Sequence, residues 1–180
     1  PEDGSGETPE VTIIIVSYNT RELTRTCVET LLACGGDVLA EVIVYDNASE
    51  DGSAEAVRDA FPGIRTIAAT DNIGFAAANN VAAKMAHAPY LLLLNPDTET
   101  YDNAIRNLLD FAKANPTGGI YGGRTFYPDG TLNPFSCLNQ ISVWSLVNRL
   151  LGLDKLISES EFFNPEQIGG WKRDSVRNVD

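Results

Sequence analysis

Positive charge is scarce in this sequence. Its 180 residues include 13 lysine and arginine residues against 25 aspartate and glutamate residues, so the formal net charge is -12 at pH 7. A chain with this balance and no local basic patch repels a nucleic-acid backbone or an anionic membrane surface. We therefore expect no nucleic acid among its partners.

Long apolar runs are also missing. The longest, VTIIIV at residues 11–16 and YLLLL at residues 90–94, fall far short of the roughly 18 residues that a bilayer span requires. No basic segment followed by an apolar one opens the chain, as a secretory signal would. We expect no transmembrane segment and a cytoplasmic protein, with peripheral attachment to the inner face of the membrane as an alternative.

Cysteine and histidine are few. The three cysteines, Cys27, Cys34 and Cys137, are odd in number and form no Cys-x-x-Cys pair, which predicts reduced thiols with structural roles. The single histidine, His87, stands near the end of a predicted helix. We expect a structural role for it, because an imidazole at that position commonly meets the last carbonyl groups of the helix.

Neither common glycine-rich phosphate motif is present. A Gly-x-Gly-x-x-Gly turn would have to follow the first predicted strand, where residues 18–20 are Tyr-Asn-Thr, so a Rossmann dinucleotide site is excluded. The segment GGIYGGRT, residues 118–125, imitates the spacing of a phosphate-binding loop. However, Arg124 replaces the required lysine, and Ile120 and Tyr121 suggest that this segment is itself a strand.

What the sequence does contain is a regular alternation of strand and helix patterns. Continuous apolar strands separated by helices predict an α/β fold with a mostly parallel, Rossmann-like sheet and helices on both faces. The fourth strand, YLLLL, is apolar enough to be fully buried. The predicted strands are 11–16, 41–46, 64–69 and 90–94, and the predicted helices are 20–34, 52–61, 74–86, 102–115 and 141–151.

Two further local patterns complete this prediction. Helix 20–34 is expected to bury one side, formed by Leu23, Cys27, Thr30, Leu31 and Cys34. The acidic, aperiodic residues 1–10 predict a flexible leader. Residues 127–130, Tyr-Pro-Asp-Gly, predict a turn, and residues 153–180 are expected to be loop.

Polar residues follow the carboxyl end of every predicted strand. The segments are SYNT, DNASEDGS, DNIG and NPDTE. Any one of them could be an ordinary turn or helix cap, but in an open α/β sheet all four lie on the edge where ligands bind. An acidic protein without a glycine-rich phosphate motif needs a divalent cation to hold a diphosphate, and Asp97 is the candidate carboxylate.

Four segments, in this order and at these separations, carry a resemblance to a known family. They are VTIIIVSYNTRELTRTCVETLL, VIVYDNASEDGSAEAV, DNIGFAAANNVA and LLLLNPDTE. Together they resemble the nucleotide-binding half of inverting family-two glycosyltransferases of the GT-A fold. The pair GFAAANN and NPD is similar to the rhamnosyltransferase-like branch in particular.

The resemblance implies a domain organisation. Residues 11–133 correspond to a GT-A nucleotide-sugar-binding domain, and residues 134–180 to the start of an acceptor-side region that is partly loop. We expect the fold to be truncated on the acceptor side.

The resemblance also implies a nucleotide site built from the strand ends. Asp46 would accept a hydrogen bond from the ring nitrogen of a pyrimidine, and the Tyr18 ring would lie against the base. Gly74 stands where the backbone approaches the ligand closely, which suits glycine. The implied nucleotide-binding residues are Val16, Ser17, Tyr18, Asp46, Asn72, Gly74, Asn80 and Asn95.

A metal site is implied at the end of the fourth strand. The family's Asp-x-Asp motif corresponds here to Asn95, Pro96 and Asp97, so the first acid is replaced and Asp97 is the one firm ligand for Mg²⁺ or Mn²⁺. Such a cation stabilises the charge that develops on a leaving diphosphate.

The implied activity is transfer of a sugar, with rhamnose as the candidate, from a UDP- or dTDP-sugar to a glycan or lipid-linked acceptor. The transfer would proceed with inversion and serve cell-surface polysaccharide synthesis. An inverting transfer needs a carboxylate base, and the acids between residues 154 and 174 match no family motif, so we expect the base beyond residue 180. A non-catalytic nucleotide- or glycan-binding module and a sugar-nucleotide nucleotidylyltransferase stay open as alternatives.

Overall fold

The computed structural model describes residues 8–133, 138 and 140–171. The chain forms two compact units, Pro1–Thr117 and Gly118–Asp180. The first unit ends before residue 133, where the sequence analysis placed a domain boundary, and that boundary stays a prediction. Most of the predicted leader lies outside the described residues. Its last residue, Glu10, belongs to the folded unit, because its carboxylate pairs with Arg106 and Lys113.

The first unit alternates strands and helices, as predicted. Helix α3 ends at Ala83 rather than at residue 86, because the chain turns there and the N–H of Met85 donates to the carbonyl oxygen of Ala82. The elements are β1 (Val11–Ser17), α1 (Arg21–Cys34), β2 (Ala40–Asp46), α2 (Ser53–Ala60), β3 (Arg65–Ala68), α3 (Phe75–Ala83), β4 (Tyr90–Leu94) and α4 (Ala104–Ala114).

The four strands form one parallel sheet in the order β3-β2-β1-β4. Strand β1 is central, with Ser17 paired to Asp46 of β2 and Ile15 paired to Leu94 of β4. Because the strands are parallel, their carboxyl ends meet at one edge. The direction of winding reverses between β1 and β4, and ligands of open α/β sheets bind at such a reversal.

Helices cover both faces of this sheet, as predicted. Ile14, Val16 and Ile43 pack on one face against Ala78 and Ala82 of α3, whose small side chains bring the helix close to the strands. The opposite face is a larger core between the sheet and helices α1, α2 and α4. It contains Val11, Ile13, Ile15, Cys27, Val28, Leu31, Val44, Val57 and Ile105.

The prediction that the fourth strand is fully buried was wrong. Strand β4 is an edge strand of the described sheet, and its alternate residues Leu91 and Leu93 are 49% and 56% exposed. Leu92 and Leu94 face the larger core. Helix α3 packs on β1 and β2, so the side of β4 that carries Leu91 and Leu93 is left uncovered by it. A continuous apolar run therefore does not by itself show that both faces of a strand are covered.

The predicted buried side of helix α1 is confirmed for Cys27 and Leu31 and was wrong for Leu23. Its buried residues are Thr24, Cys27, Val28 and Leu31, whereas Leu23 is 51% exposed. Thr24 can be buried in the first turns because its hydroxyl lies 2.9 Å from that of Ser17 and 3.1 Å from that of Thr20. A hydroxyl with hydrogen-bond partners thus takes a buried position where the pattern predicted an apolar side chain.

The described residues of the second unit form two helices, α5 (Val143–Leu150) and α6 (Leu153–Leu156). Ser142 caps α5 through reciprocal side-chain to backbone hydrogen bonds with Ser145. The predicted turn at residues 127–130 is confirmed, since the N–H of Gly130 donates to the carbonyl oxygen of Tyr127. Across the described ranges, no helix has the length and apolar character needed to cross a bilayer.

Two predictions for the second unit were wrong. Residues 118–125 form no strand, and Ile120 is 95% exposed; the chain pairs only later, through a bridge between Phe126 and Leu132. The segment 153–180 was expected to be loop, yet it begins with α6, which follows Gly152 at φ 70°. A single helical turn is too short to show a 3.6-residue period.

Candidate functional site

The last two residues of β1 and the residue that follows them differ in exposure. Val16 packs in the core beside α3, and Ser17 is fully buried with its hydroxyl within 3.1 Å of those of Thr20 and Thr24. Tyr18 is 50% exposed. Of the three residues predicted to contact the nucleotide here, Tyr18 is therefore the one whose side chain is open to a ligand. Val16 and Ser17 shape the strand end that supports it.

Asp46 ends β2 beside Ser17 and is only 3% exposed. Ser49 donates to both of its carboxylate oxygens, from the backbone N–H to Oδ2 at 3.1 Å and from the hydroxyl to Oδ1. These two bonds fix the plane of the carboxylate. Ser49 was not singled out in the sequence analysis, although a serine three residues after a strand-end aspartate is a common turn signal.

Asn47 is the second residue that the sequence analysis did not assign. It is 3% exposed, and its backbone N–H donates to the carbonyl oxygen of Ser17 at 2.8 Å. Its side chain reaches the loop before α3: Nδ2 donates to Oδ1 of Asn72 at 2.8 Å, and Oδ1 accepts from the N–H of Ile73 at 3.1 Å. One buried residue thereby joins the ends of β1 and β2 to the segment that follows β3.

The segment that follows β3 is shaped by Asn72 and Gly74. Oδ1 of Asn72 also accepts from the N–H of Gly74 at 2.9 Å. Gly74 has φ 83° and ψ 158°, a conformation that is essentially restricted to glycine. A Cβ at this position would meet nothing within 4 Å. The backbone angle, rather than crowding, therefore requires glycine here.

Helix α3 carries two adjacent asparagines in different environments. Asn80, predicted to line the pocket, is exposed. Its neighbour Asn79 is 7% exposed and donates from Nδ2 to the carbonyl oxygen of Phe75 at 3.0 Å. Asn80 is thus the one of the pair that is open to solvent.

The loops after β1 and β2 are bonded to each other. The N–H of Asn19 donates to the Ser49 hydroxyl at 2.8 Å, and the N–H of Glu50 donates to Oδ1 of Asn19 at 2.9 Å. The N–H of Arg21 donates to Asp51 at 2.9 Å. Asn19 has φ 52°, which asparagine tolerates better than most residues. The loop that carries Tyr18 is therefore bonded to the loop that directly follows Asp46.

Asp97 lies in a turn directly after β4. The turn is closed by the N–H of Thr98, which donates to the carbonyl oxygen of Asn95 at 3.1 Å, and both Asn95 and Asp97 are exposed. The N–H of Thr100 donates to the hydroxyl of Thr30 on α1 at 3.1 Å, which anchors the far end of the segment.

The residues around Asp97 fit one kind of metal site and not another. Over residues 8–133, 138 and 140–171, no group of three or more His, Cys, Asp or Glu side chains could hold an ion, so a closed protein cage is not formed there. A single exposed carboxylate fits a Mg²⁺ or Mn²⁺ ion that takes its other ligands from water and a diphosphate.

Two strand spacings separate the residue predicted to bind the base from the residue predicted to bind the metal. Asp46 ends β2 and Asp97 follows β4, with β1 between them. Neighbouring strands lie about 4.8 Å apart, so the two strand ends are roughly 10 Å apart. Tyr18 follows the central strand. The sheet edge therefore suits an elongated ligand that has different chemical groups at its two ends.

The chain matches a family of sugar-transferring enzymes over most of its length. The family model described as "Glycosyl transferase family 2" matches residues 12–177. The chain therefore belongs to glycosyltransferase family 2.

Two curated relatives illustrate the similarity. The chain is 32% identical over 127 residues to the O-antigen biosynthesis protein RfbC of Myxococcus xanthus, which covers 69% of the chain and 10% of that protein. It is 28% identical over 104 residues to the N-acetylglucosaminyl-diphospho-decaprenol L-rhamnosyltransferase of Mycobacterium tuberculosis (strain CDC 1551 / Oshkosh), covering 52% of the chain and 34% of that protein. The chain thus spans between a tenth and about a third of the length of these relatives.

Among solved structures, S. aureus TarS has a similar fold. The TM-score is 0.52 at 20% identity, and the match covers 58% of this chain and 20% of TarS. The predicted α/β fold of GT-A type is confirmed.

Proposed function

We propose that this chain binds the nucleoside diphosphate sugar of a glycosyltransferase reaction at the carboxyl edge of its sheet. The observation that carries this proposal is the buried Asp46 carboxylate, held by Ser49 at a strand end that pairs with Ser17, the residue before the half-exposed Tyr18. A fixed acceptor next to an open aromatic ring is the arrangement that a planar base with one ring N–H requires. Membership of glycosyltransferase family 2 supports the other part of the proposal, that the bound nucleotide carries a sugar.

The base would be a pyrimidine. Uracil and thymine present a ring N–H to an acceptor, so the Asp46 carboxylate would take that hydrogen bond while the Tyr18 ring packs on the face of the base. Adenine offers no N–H at the corresponding ring position. Guanine does, and it is the competitor that a binding experiment has to include. The donor is accordingly a UDP- or dTDP-sugar.

The diphosphate would extend from the base toward Asp97. Two strand spacings, roughly 10 Å, separate the strand ends that precede Asp46 and Asp97, a distance that a nucleoside can bridge. Asp97 would hold Mg²⁺ or Mn²⁺, which when bound neutralises charge on the leaving diphosphate. The Asp97 carboxylate and the phosphate oxygens are both anionic, and they repel each other unless a cation lies between them. The net charge of -12 on the chain adds to this need for a cation.

The sugar and acceptor are proposed from the relatives. Their names concern O-antigen biosynthesis and L-rhamnosyl transfer, which supports rhamnose as the sugar and a glycan or lipid-linked acceptor in cell-surface polysaccharide synthesis. Inverting transfer follows from the same family resemblance. The expectation that the general base lies beyond residue 180 stays a prediction, as do a cytoplasmic location and peripheral attachment to the membrane.

Of the two alternatives, membership of family 2 argues against a sugar-nucleotide nucleotidylyltransferase. A binding module without catalysis is distinguished by turnover. Release of free sugar from a UDP- or dTDP-sugar, above the rate of a Mn²⁺ blank, would show an enzyme. Binding without such release, in the chain of residues 1–180, would support the module for this segment.

Isothermal titration calorimetry with UDP, dTDP, GDP and ADP, each with Mn²⁺ and with a chelator, tests the nucleotide proposal. We expect UDP or dTDP to bind most tightly and the cation to strengthen binding. Tighter binding of GDP would overturn the pyrimidine assignment. Failure of all four nucleotides to bind would overturn the proposed function.

A further inference from the structure

We infer that Asn47 is a positioning residue, whose buried amide holds Asn72 with its NH₂ group turned toward the donor nucleotide. The inference rests on the proposed nucleotide site and adds to it an uncharged hydrogen-bond donor. It also adds the residue that orients this donor.

The hydrogen bonds of Asn47 determine which way its amide faces. The N–H of Ile73 donates to one amide atom at 3.1 Å, so that atom is Oδ1. The other, Nδ2, then donates to Asn72 at 2.8 Å. With 3% of the residue exposed, a reversed amide would place two N–H groups face to face without water to relieve them, and buried polar groups left unpaired are costly.

The orientation of Asn72 follows from that of Asn47. Its Oδ1 accepts from Nδ2 of Asn47 at 2.8 Å and from the N–H of Gly74 at 2.9 Å. Both donors approach the same oxygen, so the NH₂ group of Asn72 points away from them. It donates to no residue in the part of the chain that the structure describes, and Asn72 is exposed. The NH₂ group is therefore free to donate to a ligand.

The NH₂ group of Asn72 lies on a segment that is connected to the proposed nucleotide site. The segment that carries Asn72 is also tied to the Asp46 strand end, because the N–H of Ala69 donates to the carbonyl oxygen of Asp46 at 2.9 Å. A carbonyl oxygen of the pyrimidine, a ribose hydroxyl or a phosphate oxygen could accept from the NH₂ group. A neutral donor attracts such oxygens without a compensating acid, which suits a site in an acidic chain.

The backbone beside Asn47 is held in an unfavourable conformation. Ala48 has φ 66°, a left-handed angle that alanine rarely adopts. The bonds made by its neighbours Asn47 and Ser49 hold it there. Strained residues of this kind persist where the surroundings over-determine them, and they are common at binding sites. The strain is the second observation that sets Asn47 apart from an ordinary turn residue.

A double-mutant cycle tests the inference. The variants are Asn47→Ala, Asn72→Ala and the double variant, with Asn79→Ala as a matched buried asparagine outside the Asn47–Asn72 pair. UDP and dTDP affinity is measured by calorimetry with Mn²⁺, and stability of the free protein by urea denaturation. Each single variant should weaken nucleotide binding roughly 3- to 10-fold, the range expected for one neutral hydrogen bond. The double variant should lose no more affinity than the single variant that has the larger loss. Asn79→Ala should bind as wild type does.

Asn47→Asp keeps the variant series informative if Asn47→Ala does not fold. Its carboxylate still accepts from Ile73 but cannot donate to Asn72, so nucleotide affinity should fall as in Asn47→Ala. Asn72→Ala should also lose affinity, and because it leaves the buried Nδ2 of Asn47 without its acceptor it should lose some stability as well.

The outcomes separate the inference from the proposed function. Wild-type binding with additive losses in the double variant would overturn the positioning role and leave the nucleotide site standing. Unchanged affinity in Asn72→Ala would overturn the assigned donor. Absence of nucleotide binding by the wild type would overturn both the proposed function and the positioning role of Asn47. This holds even if urea denaturation shows that the two asparagines are coupled in stability.

Discussion

The thiol of Cys27 on α1 donates a hydrogen bond to the backbone carbonyl oxygen of Asn95, with 3.5 Å between sulfur and oxygen. The hydroxyl of Thr30, on the same helix, accepts a hydrogen bond from the N–H of Thr100. These two hydrogen bonds tie the turn that carries Asp97 to helix α1. It also begins directly after the loop that presents Tyr18, so the proposed base and metal ends of the site share one rigid helix.

Cys27 should resist thiol reagents in the folded protein. Burial raises the pKa of the Cys27 thiol to about 11, the N–H of Thr98 acts against this, and the charge of Asp97 adds to it. The thiol is therefore neutral and poorly nucleophilic at pH 8. Peptide mapping after N-ethylmaleimide treatment should find Cys34, which is partly exposed, modified well before Cys27. Equal rates without denaturant would contradict this; in urea both cysteines should react.

Replacing Asp46 and replacing Asp97 should weaken nucleotide binding in different ways. Asp46→Ala removes a charged acceptor and should weaken UDP or dTDP binding by about 1.5 to 3 kcal/mol, roughly 10- to 100-fold, with or without cation. Asp97→Ala should remove only the part of the affinity that Mn²⁺ contributes. Calorimetry in Mn²⁺ and in chelator measures both. Equal losses for the two variants in chelator would contradict the separate roles, and thermal unfolding controls for damage to the buried Asp46 site.

Tyr18 should act through its ring. It is 50% exposed, so its replacement should change stability little. Tyr18→Ala should lose about 1 kcal/mol of nucleotide binding or more, because the aromatic contact goes. Tyr18→Phe keeps the ring and should bind nearly as wild type does. If calorimetry finds the two variants equally impaired, the hydroxyl rather than the ring makes the important contact.

The sequence predicted what depends on pattern and strand order. The alternation of apolar strands and helices predicted the parallel sheet, and the acid at the end of β2 placed Asp46 at the carboxyl edge of that sheet. It could not show that Leu91 lies half exposed on an edge strand, since that depends on which neighbours cover the strand.

The supporting residues of the site were missed for a similar reason. The role of Asn47 consists of bonds to Ser17 and to residues 25 and 26 positions further along the chain. A local pattern shows only that asparagine favours turns, and the partner becomes visible when the strands are placed side by side. The buried Thr24 on α1 was missed likewise, because hydroxyls from two elements satisfy one another there.

Gly74→Ala should destabilise the protein through its backbone. Gly74 has φ 83° and ψ 158°, where a Cβ costs about 1 to 3 kcal/mol, although space for it exists. Gly63→Ala is the matched control, since that glycine also has an open Cβ position but no left-handed φ. Urea denaturation should show a clear loss for Gly74→Ala and little change for Gly63→Ala. Equal stability of the two variants would mean that the loop before α3 relaxes without cost.

Glu41 should make stability depend on pH at the edge of the sheet opposite the site. It lies at the start of β2, largely buried, where it accepts from the Thr12 hydroxyl at 2.8 Å and from the ring and backbone N–H of His87 at 2.9 and 3.0 Å. Burial is the largest single influence and acts to raise the pKa of Glu41. The hydrogen bonds from Thr12 and His87 together outweigh it and hold the pKa below its ordinary value of 4.5.

A carboxyl group with a lower pKa in the folded state binds protons more tightly in the unfolded state, so its ionised form stabilises the fold. That contribution is fully present above about pH 4.5 and is lost as the pH falls through the folded-state value. Urea denaturation at several pH values should therefore show Glu41→Gln less stable than wild type near pH 6, with the difference shrinking below pH 4.5. Glu29→Gln, at an exposed position on α1, serves as the control and should have a small effect. A difference between wild type and Glu41→Gln that stays constant down to pH 3 would show that the hydrogen bonds do not favour the ionised carboxylate.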